Sequence, residues 1–153
     1  FTQKHALLRL LFLLISVAAN NAFGKSAAFK IGVVPKPNSV ANEFFRVIEE
    51  GCRARARELT NKGEIDVECF YHGADASNSS EQALVVQKMV EEHGVDGIAV
   101  SVSDVALMTE AINNIAETTN GTIPVITFDS DAAGSTRQAF IATDNFAFGV
   151  ELG

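Results

Sequence analysis

The sequence predicts an α/β fold, a doubly wound parallel sheet with flanking helices, and three observations carry that prediction. Beyond residue 27, short apolar runs alternate with stretches of helical period, the pattern of βαβ units. The run "VDGIAVSV" is apolar at most positions, as a strand buried on both faces is. Two later runs, "VITFDSD" and "AFIATDN", break off in carboxylates, which either cap the next helix or face a ligand.

Taken in order, residues 29–34 read as the first strand, and a loop with Pro35 and Pro37 follows. Residues 42–59 set Phe45, Ile48, Cys52, Ala56 and Leu59 on one helical stripe. Residues 65–71 alternate, with Asp66 and Glu68 opposite Val67 and Cys69, as an edge strand with one wet face does. Asn78 followed by Glu81 reads as a capping box opening a helix through Val85, Val86, Met89 and Val90, which Gly94 ends. After the buried strand, Ser103 or Asp104 caps a helix with the stripe Leu107, Ala111, Ile115 and Thr118. Pro124 opens the next strand, where its missing N–H costs least. A turn at Gly134-Ser135 leads to a last strand over 139–143, and a further helix starts near Asn145.

With 153 residues and 47% hydrophobic content, the chain can bury one core. It starts at Phe1 and stops in "FGVELG", the first turns of a helix, so a piece of a longer protein is expected. Residues 1–24 read as a secretory signal: Lys4 and Arg9 precede the run "LLFLLISVAA", about half the ~20 residues of a spanning helix. Val17/Ala19 and Ala22/Gly24 are both suitable pairs before the cut. Without this segment ten Lys and Arg face nineteen Asp and Glu, a net charge of −9, which speaks against nucleic acid as a partner. Arg53, Arg55 and Arg57 form a basic cluster among Glu49, Glu50 and Glu58, and Glu49 to Arg53 has ion-pair spacing, so a solvated helix face is expected.

Several chemistries leave no trace. The loop "PKPNSVAN" has no glycine to bring backbone to a phosphate, so no nucleotide cofactor is expected. His72 and His93 lack metal-pair spacing, no serine sits in a G-x-S-x-G elbow, and neither cysteine lies beside a histidine. No enzyme, no cofactor and no metal are therefore expected. In an open parallel sheet the ligand crevice lies outside the carboxyl ends of the strands. Those ends put Lys36, Asn42, Ser101, Ser103, Asp129, Asp131 and Asp144 along one rim.

Cys52 falls on the inner stripe of the first helix and Cys69 on the inner face of the second strand. In a βαβ unit that helix packs on the sheet, so a disulfide between them is expected in an oxidising compartment. The alternative is two buried thiols acting as small apolar groups.

Four lines, "KIGVVPKPNSVANEFFRVIEEGC", "GVDGIAVSVSD", "IPVITFDSDAAGSTR" and "FIATDNFAFGVELG", together resemble the periplasmic sugar-binding proteins of ABC importers, in the ribose-binding-like branch of the type I fold. The resemblance implies two α/β lobes closing on one sugar, with residues 28–143 as lobe one and 144–153 as the start of lobe two. It implies a periplasmic protein, monomeric at full length, that takes a monosaccharide or related polyol to an ABC permease. The alternatives are a sensor component feeding a chemoreceptor or kinase, and the effector domain of a sugar-responsive repressor. A sugar offers apolar C–H faces and a girdle of hydroxyls, so Phe44 and Phe45 are candidate platforms, and Asp129 is the first candidate acceptor. Asn42, Lys36, Ser101 and Asp131 complete the expected ligand set, although Asp131 could instead hold its turn or pair with Arg137. Ribose binders often carry Arg after the first Asp, where this chain has Ser130, so the resemblance does not extend to ribose itself and leaves the sugar open.

Overall fold

The computed structural model describes residues 28–36, 43–74 and 78–152. The expected signal segment and Asn42 lie outside the described residues. Five strands, β1 (Phe29–Val34), β2 (Val67–Tyr71), β3 (Gly97–Val100), β4 (Val125–Phe128) and β5 (Ala139–Ile141), form one sheet in the order β2-β1-β3-β4-β5. Every pairing is parallel. The helices are α1 (Glu43–Asn61), α2 (Ser79–Glu91), α3 (Val105–Thr118) and α4 (Asn145–Leu152).

The apolar runs are continuous because both sheet faces are covered. Phe29, Ile31, Val33, Ala99, Ile126 and Phe128 pack with Phe45, Cys52, Ala56 and Leu59 of α1. Val34, Ile98, Val100 and Val125 point the other way, against Val85, Val86 and Met89 of α2 and Met108, Ile112 and Ile115 of α3. Gly32 lets α2 come close: a Cβ there would stand 3.2 Å from the Met89 sulfur. The sheet is thus doubly wound, and its strand order reverses between β1 and β3.

Helix ends follow the sequence. Asn78 caps α2 by accepting from Ser80 N at 2.9 Å. Gly94 turns the chain out with φ +59°, a conformation glycine adopts at no steric cost. Of the two candidates before α3, Asp104 is the cap, accepting from Leu107 N at 2.9 Å.

Three expectations need correction. The buried stripe of α3 is Met108, Ile112 and Ile115; Leu107 and Ala111 are only half-buried, and Thr118 is exposed. Both stripes have helical period, and packing against α2 selects the one with larger side chains. Arg55 is no part of a solvated face: it is 8% exposed and pairs with Glu58 at 2.8 Å. Hydrogen bonds from Lys62 first, then Arg55, hold the Glu58 carboxyl down to about 2. Arg53 does pair with Glu49 on the surface. Finally, β5 is three residues long and ends at Ile141 rather than Thr143, and Asp144 beyond it caps α4, accepting from Ala147 N at 2.9 Å.

Cys52 and Cys69 are joined by a disulfide with a Cα–Cα distance of 6.1 Å. It ties α1 to β2, which among the described residues is an edge strand paired with β1 alone. The Tyr71 hydroxyl adds a second tie, donating to the Phe45 carbonyl at 3.2 Å.

Candidate functional site

The carboxyl ends of β1, β3 and β4 converge on one oxygen. Asp129 directly follows β4, and its Oδ2 accepts from Lys36 Nζ at 3.0 Å, Ser101 Oγ at 3.1 Å and Ser130 Oγ at 3.0 Å. Lys36 comes from the loop after β1, and Ser101 is the first residue after β3. Asp129 has φ +62°, a left-handed conformation that Asp tolerates better than most residues, while its N–H still donates to Ile141 O at 3.0 Å. The turn therefore leaves the sheet at Asp129 itself, with the carboxylate at the rim.

Asp129 is neither buried nor free: its side chain is 34% exposed and that of Lys36 is 36% exposed. Burial pushes the carboxyl up, but the hydrogen bonds from Lys36, Ser130 and Ser101 and the Lys36 charge outweigh it, so the net shift is downward. The group is an anion at neutral pH. Among the described residues all three bonds end on Oδ2, so Oδ1 has no donor there. A neutral hydroxyl can donate to that oxygen and accept from a lysine ammonium in the same place.

These are features of a binding rim, and comparison with known proteins settles the family. A family profile described as "Periplasmic binding protein domain" matches residues 31–153.

The chain belongs to the periplasmic binding protein family.

Solved structures agree. An arabinose-binding protein from Geobacillus stearothermophilus matches with 25% identity and a TM-score of 0.65, over 82% of this chain and 39% of that one. An ABC transporter solute-binding protein from Burkholderia graminis, solved in complex with D-arabinose, matches with 27% identity and a TM-score of 0.63, over 84% and 40%. A sugar-binding protein of a Bacillus halodurans ABC transporter shares the fold, at 24% identity and TM-score 0.61, over 80% and 38%. No curated protein matches the chain. The chain spans about two fifths of the length of these structures. The type I periplasmic binding protein fold and the likeness to sugar-binding proteins of ABC transporters thus stand.

In this periplasmic binding protein the expected site residues separate into groups. Lys36, Ser101 and Asp129 come together. Asp131, two residues on, does not join them: its Oδ1 takes the Thr127 hydroxyl and the Arg137 Nε, and its Oδ2 takes Arg137 Nη2 at 2.7 Å. Those bonds organise the connection over 129–138, which links two parallel strands without a helix. The two aromatic rings differ as well. Phe44 is 37% exposed in the first turn of α1, whereas Phe45 is 6% exposed and packs in the core, so Phe44 alone of the pair presents a substantial ring surface. The rings meet edge to face at 5.1 Å.

Sequence reading missed Ser130 as a donor to Asp129, and it missed Gln82. Gln82 sits near the start of α2 with no exposed surface, yet it bonds to residues on both sides of Ser101's strand end. Its signal was a polar residue at i−3 and i−4 from Val85 and Val86, on their buried face of the helix.

Proposed function

We propose that this chain is the first lobe of a secreted solute-binding protein that captures a monosaccharide or related polyol for an ABC importer. The carrying observation is the convergence of Lys36, Ser101 and Ser130 on Asp129 at the carboxyl rim of the sheet. Asp129 accepts from sugar hydroxyls, Lys36 and Ser101 orient it by donating to its Oδ2, the remaining N–H groups of Lys36 donate to the ring's oxygens, and the exposed ring of Phe44 covers a C–H face. Neighbours of this fold were solved with D-arabinose, L-rhamnose, D-allose and myo-inositol, all neutral polyhydroxylated rings. A Lys–Asp pair of zero net charge suits such ligands better than ionic ones.

The second half of the site comes from a second lobe, capture and release involve no chemical step, and residues 1–24 direct export. A thermal-shift screen of the full-length protein against these four compounds tests the reading. One of them at 100 times its Kd stabilises by about 2.7 kcal/mol. If none of them moves the transition at millimolar concentration, the sugar-capture reading fails.

A further inference from the structure

Gln82 has both of its polar ends fully engaged. Its Nε2 donates to Pro35 O at 2.8 Å and to Ser101 O at 2.7 Å, and its Oε1 accepts from Ser103 N at 3.1 Å and Ser103 Oγ at 2.6 Å. A carboxamide has two donors and two lone pairs, so every one is matched. The orientation is fixed by its partners, since two carbonyls can face only the nitrogen and a backbone N–H only the oxygen.

The location gives this arrangement its meaning. Pro35 and Ser101 stand at the carboxyl ends of β1 and β3, the neighbouring strands between which the strand order reverses. Beyond this point the chain after β1 runs to α1 on one face, and the chain after β3 runs to α3 on the other. The ladder's contribution here is Ser101 N to Val34 O at 2.9 Å. Past it the two segments diverge, and the Gln82 amide reaches across from α2 to hold both. The residues so held are the ones that matter to Asp129: Ser101 carries one donor to its Oδ2, and Lys36, next to Pro35, carries another.

We propose that Gln82 is a positioning residue of the binding rim, clasping the backbones of Pro35 and Ser101 across the switch point and so setting where Lys36 and Ser101 meet Asp129. A buried glutamine serving only the core would matter to stability and to nothing at the rim. The consequence for affinity rests on the sugar-capture reading above; the consequence for Asp129 needs no ligand.

The test uses Gln82→Met in the full-length protein, a change of similar volume that removes all four bonds. Two quantities are read well below the unfolding midpoint: the titration of the Asp129 carboxyl by carbon NMR, and calorimetric affinity for D-arabinose, L-rhamnose, D-allose and myo-inositol. The expected result is an Asp129 titration that moves up toward the ordinary Asp range, and an affinity on the order of tenfold weaker for whichever sugar binds the wild type, as loss of one well-placed hydrogen bond gives. An unchanged Asp129 titration in folded Gln82→Met overturns the proposal, even if the protein melts earlier. If Gln82→Met does not fold, Ser103→Ala takes its place, because it removes only the 2.6 Å bond that steadies the amide. A smaller upward shift of Asp129 supports the proposal, and none overturns it. A wild type that binds no sugar defeats the sugar-capture reading alone, since the titration still decides the role of Gln82.

Discussion

Asp129 and Asp131 stand two residues apart, carry the same charge, and are held in opposite ways. Asp131 gives both oxygens to the protein, to a guanidinium that grips it from two nitrogens and to the buried Thr127 hydroxyl. Asp129 receives donors from three separate segments on one oxygen, at the rim where the sheet ends. The difference lies in where the donors come from. Arg137 and Thr127 flank the same turn, so the Asp131 bonds close a loop on itself. Lys36 and Ser101 belong to other strand ends, so the Asp129 bonds assemble a surface. A carboxylate of the first kind maintains structure, and one of the second kind can receive a ligand.

A distant change supplies the baseline for separating stability from binding. Replacing Cys52 and Cys69 together by alanine removes a cross-link spanning 17 residues, far along the chain from the β4 turn. Unfolding free energy should fall by about 3 kcal/mol on the chain-entropy model. Sugar affinity measured on folded protein should not change; a loss of affinity there would mean that stability and binding cannot be read apart.

Asp131→Asn comes next. It keeps the shape and loses the charge-assisted bonds to Arg137, so stability should drop by about 2 kcal/mol in urea unfolding. Affinity per folded molecule should stay within about threefold of wild type, a difference of ~0.7 kcal/mol. A larger fall in affinity would place Asp131 in the site after all.

Acid sharpens the contrast. Hydrogen bonds from Arg137 hold the Asp131 carboxyl below its ordinary value against the opposing effect of burial, with Thr127 assisting. Asp129 is also lowered, although burial, its largest single influence, works the other way. A depressed folded-state pKa contributes stability that is fully present above the unfolded value, about 3.9, and is lost as pH falls through the folded value. Wild-type stability should therefore decline as the pH drops below about 4, and Asp131→Asn should decline less over the same range. Parallel slopes for the two proteins would show that Asp131 does not titrate in this way.

The smallest effect belongs to Ser130→Ala. Its hydroxyl is the one donor to Asp129 that comes from the adjacent residue. Losing it should weaken sugar binding by about 0.5–1 kcal/mol, two- to fivefold by calorimetry, with no measurable change in midpoint.

Much of this was legible in the sequence, for identifiable reasons. Strand ends were readable because buried parallel strands are continuous apolar runs, and their polar termini mark the rim. That logic found Lys36, Ser101 and Asp129 without knowledge of strand order. The sequence ranked Asp129 ahead of Asp131 and named Arg137 as an alternative partner for Asp131, but it kept Asp131 in the ligand set, because the spacing Asp-Ser-Asp does not itself fix which acid Arg137 reaches. Asp144 appeared on the same rim for the same reason and proves to be a helix cap. The α3 stripe was placed one residue out of phase because Leu107, Ala111 and Ile115 fit the period as well as Met108, Ile112 and Ile115 do. Arg55 read as surface because charge implies solvent, and only packing reveals an arginine lying along its helix. Gln82 was missed because its place on the buried face of α2 marks it only as a polar residue facing inward, while its partners, Pro35, Ser101 and Ser103, lie in two loops distant in sequence that no local pattern encodes.

The division between the two acids is tested most directly by Asp129→Asn in the full-length protein, titrated calorimetrically beside wild type with the sugar that the stabilisation screen selects. With the carboxylate gripping hydroxyls, affinity should fall by roughly one to two decades, about 1.5–3 kcal/mol, while the melting midpoint stays near wild type. Unchanged affinity in a folded Asp129→Asn protein would contradict the assignment and leave both acids of the turn with structural roles alone.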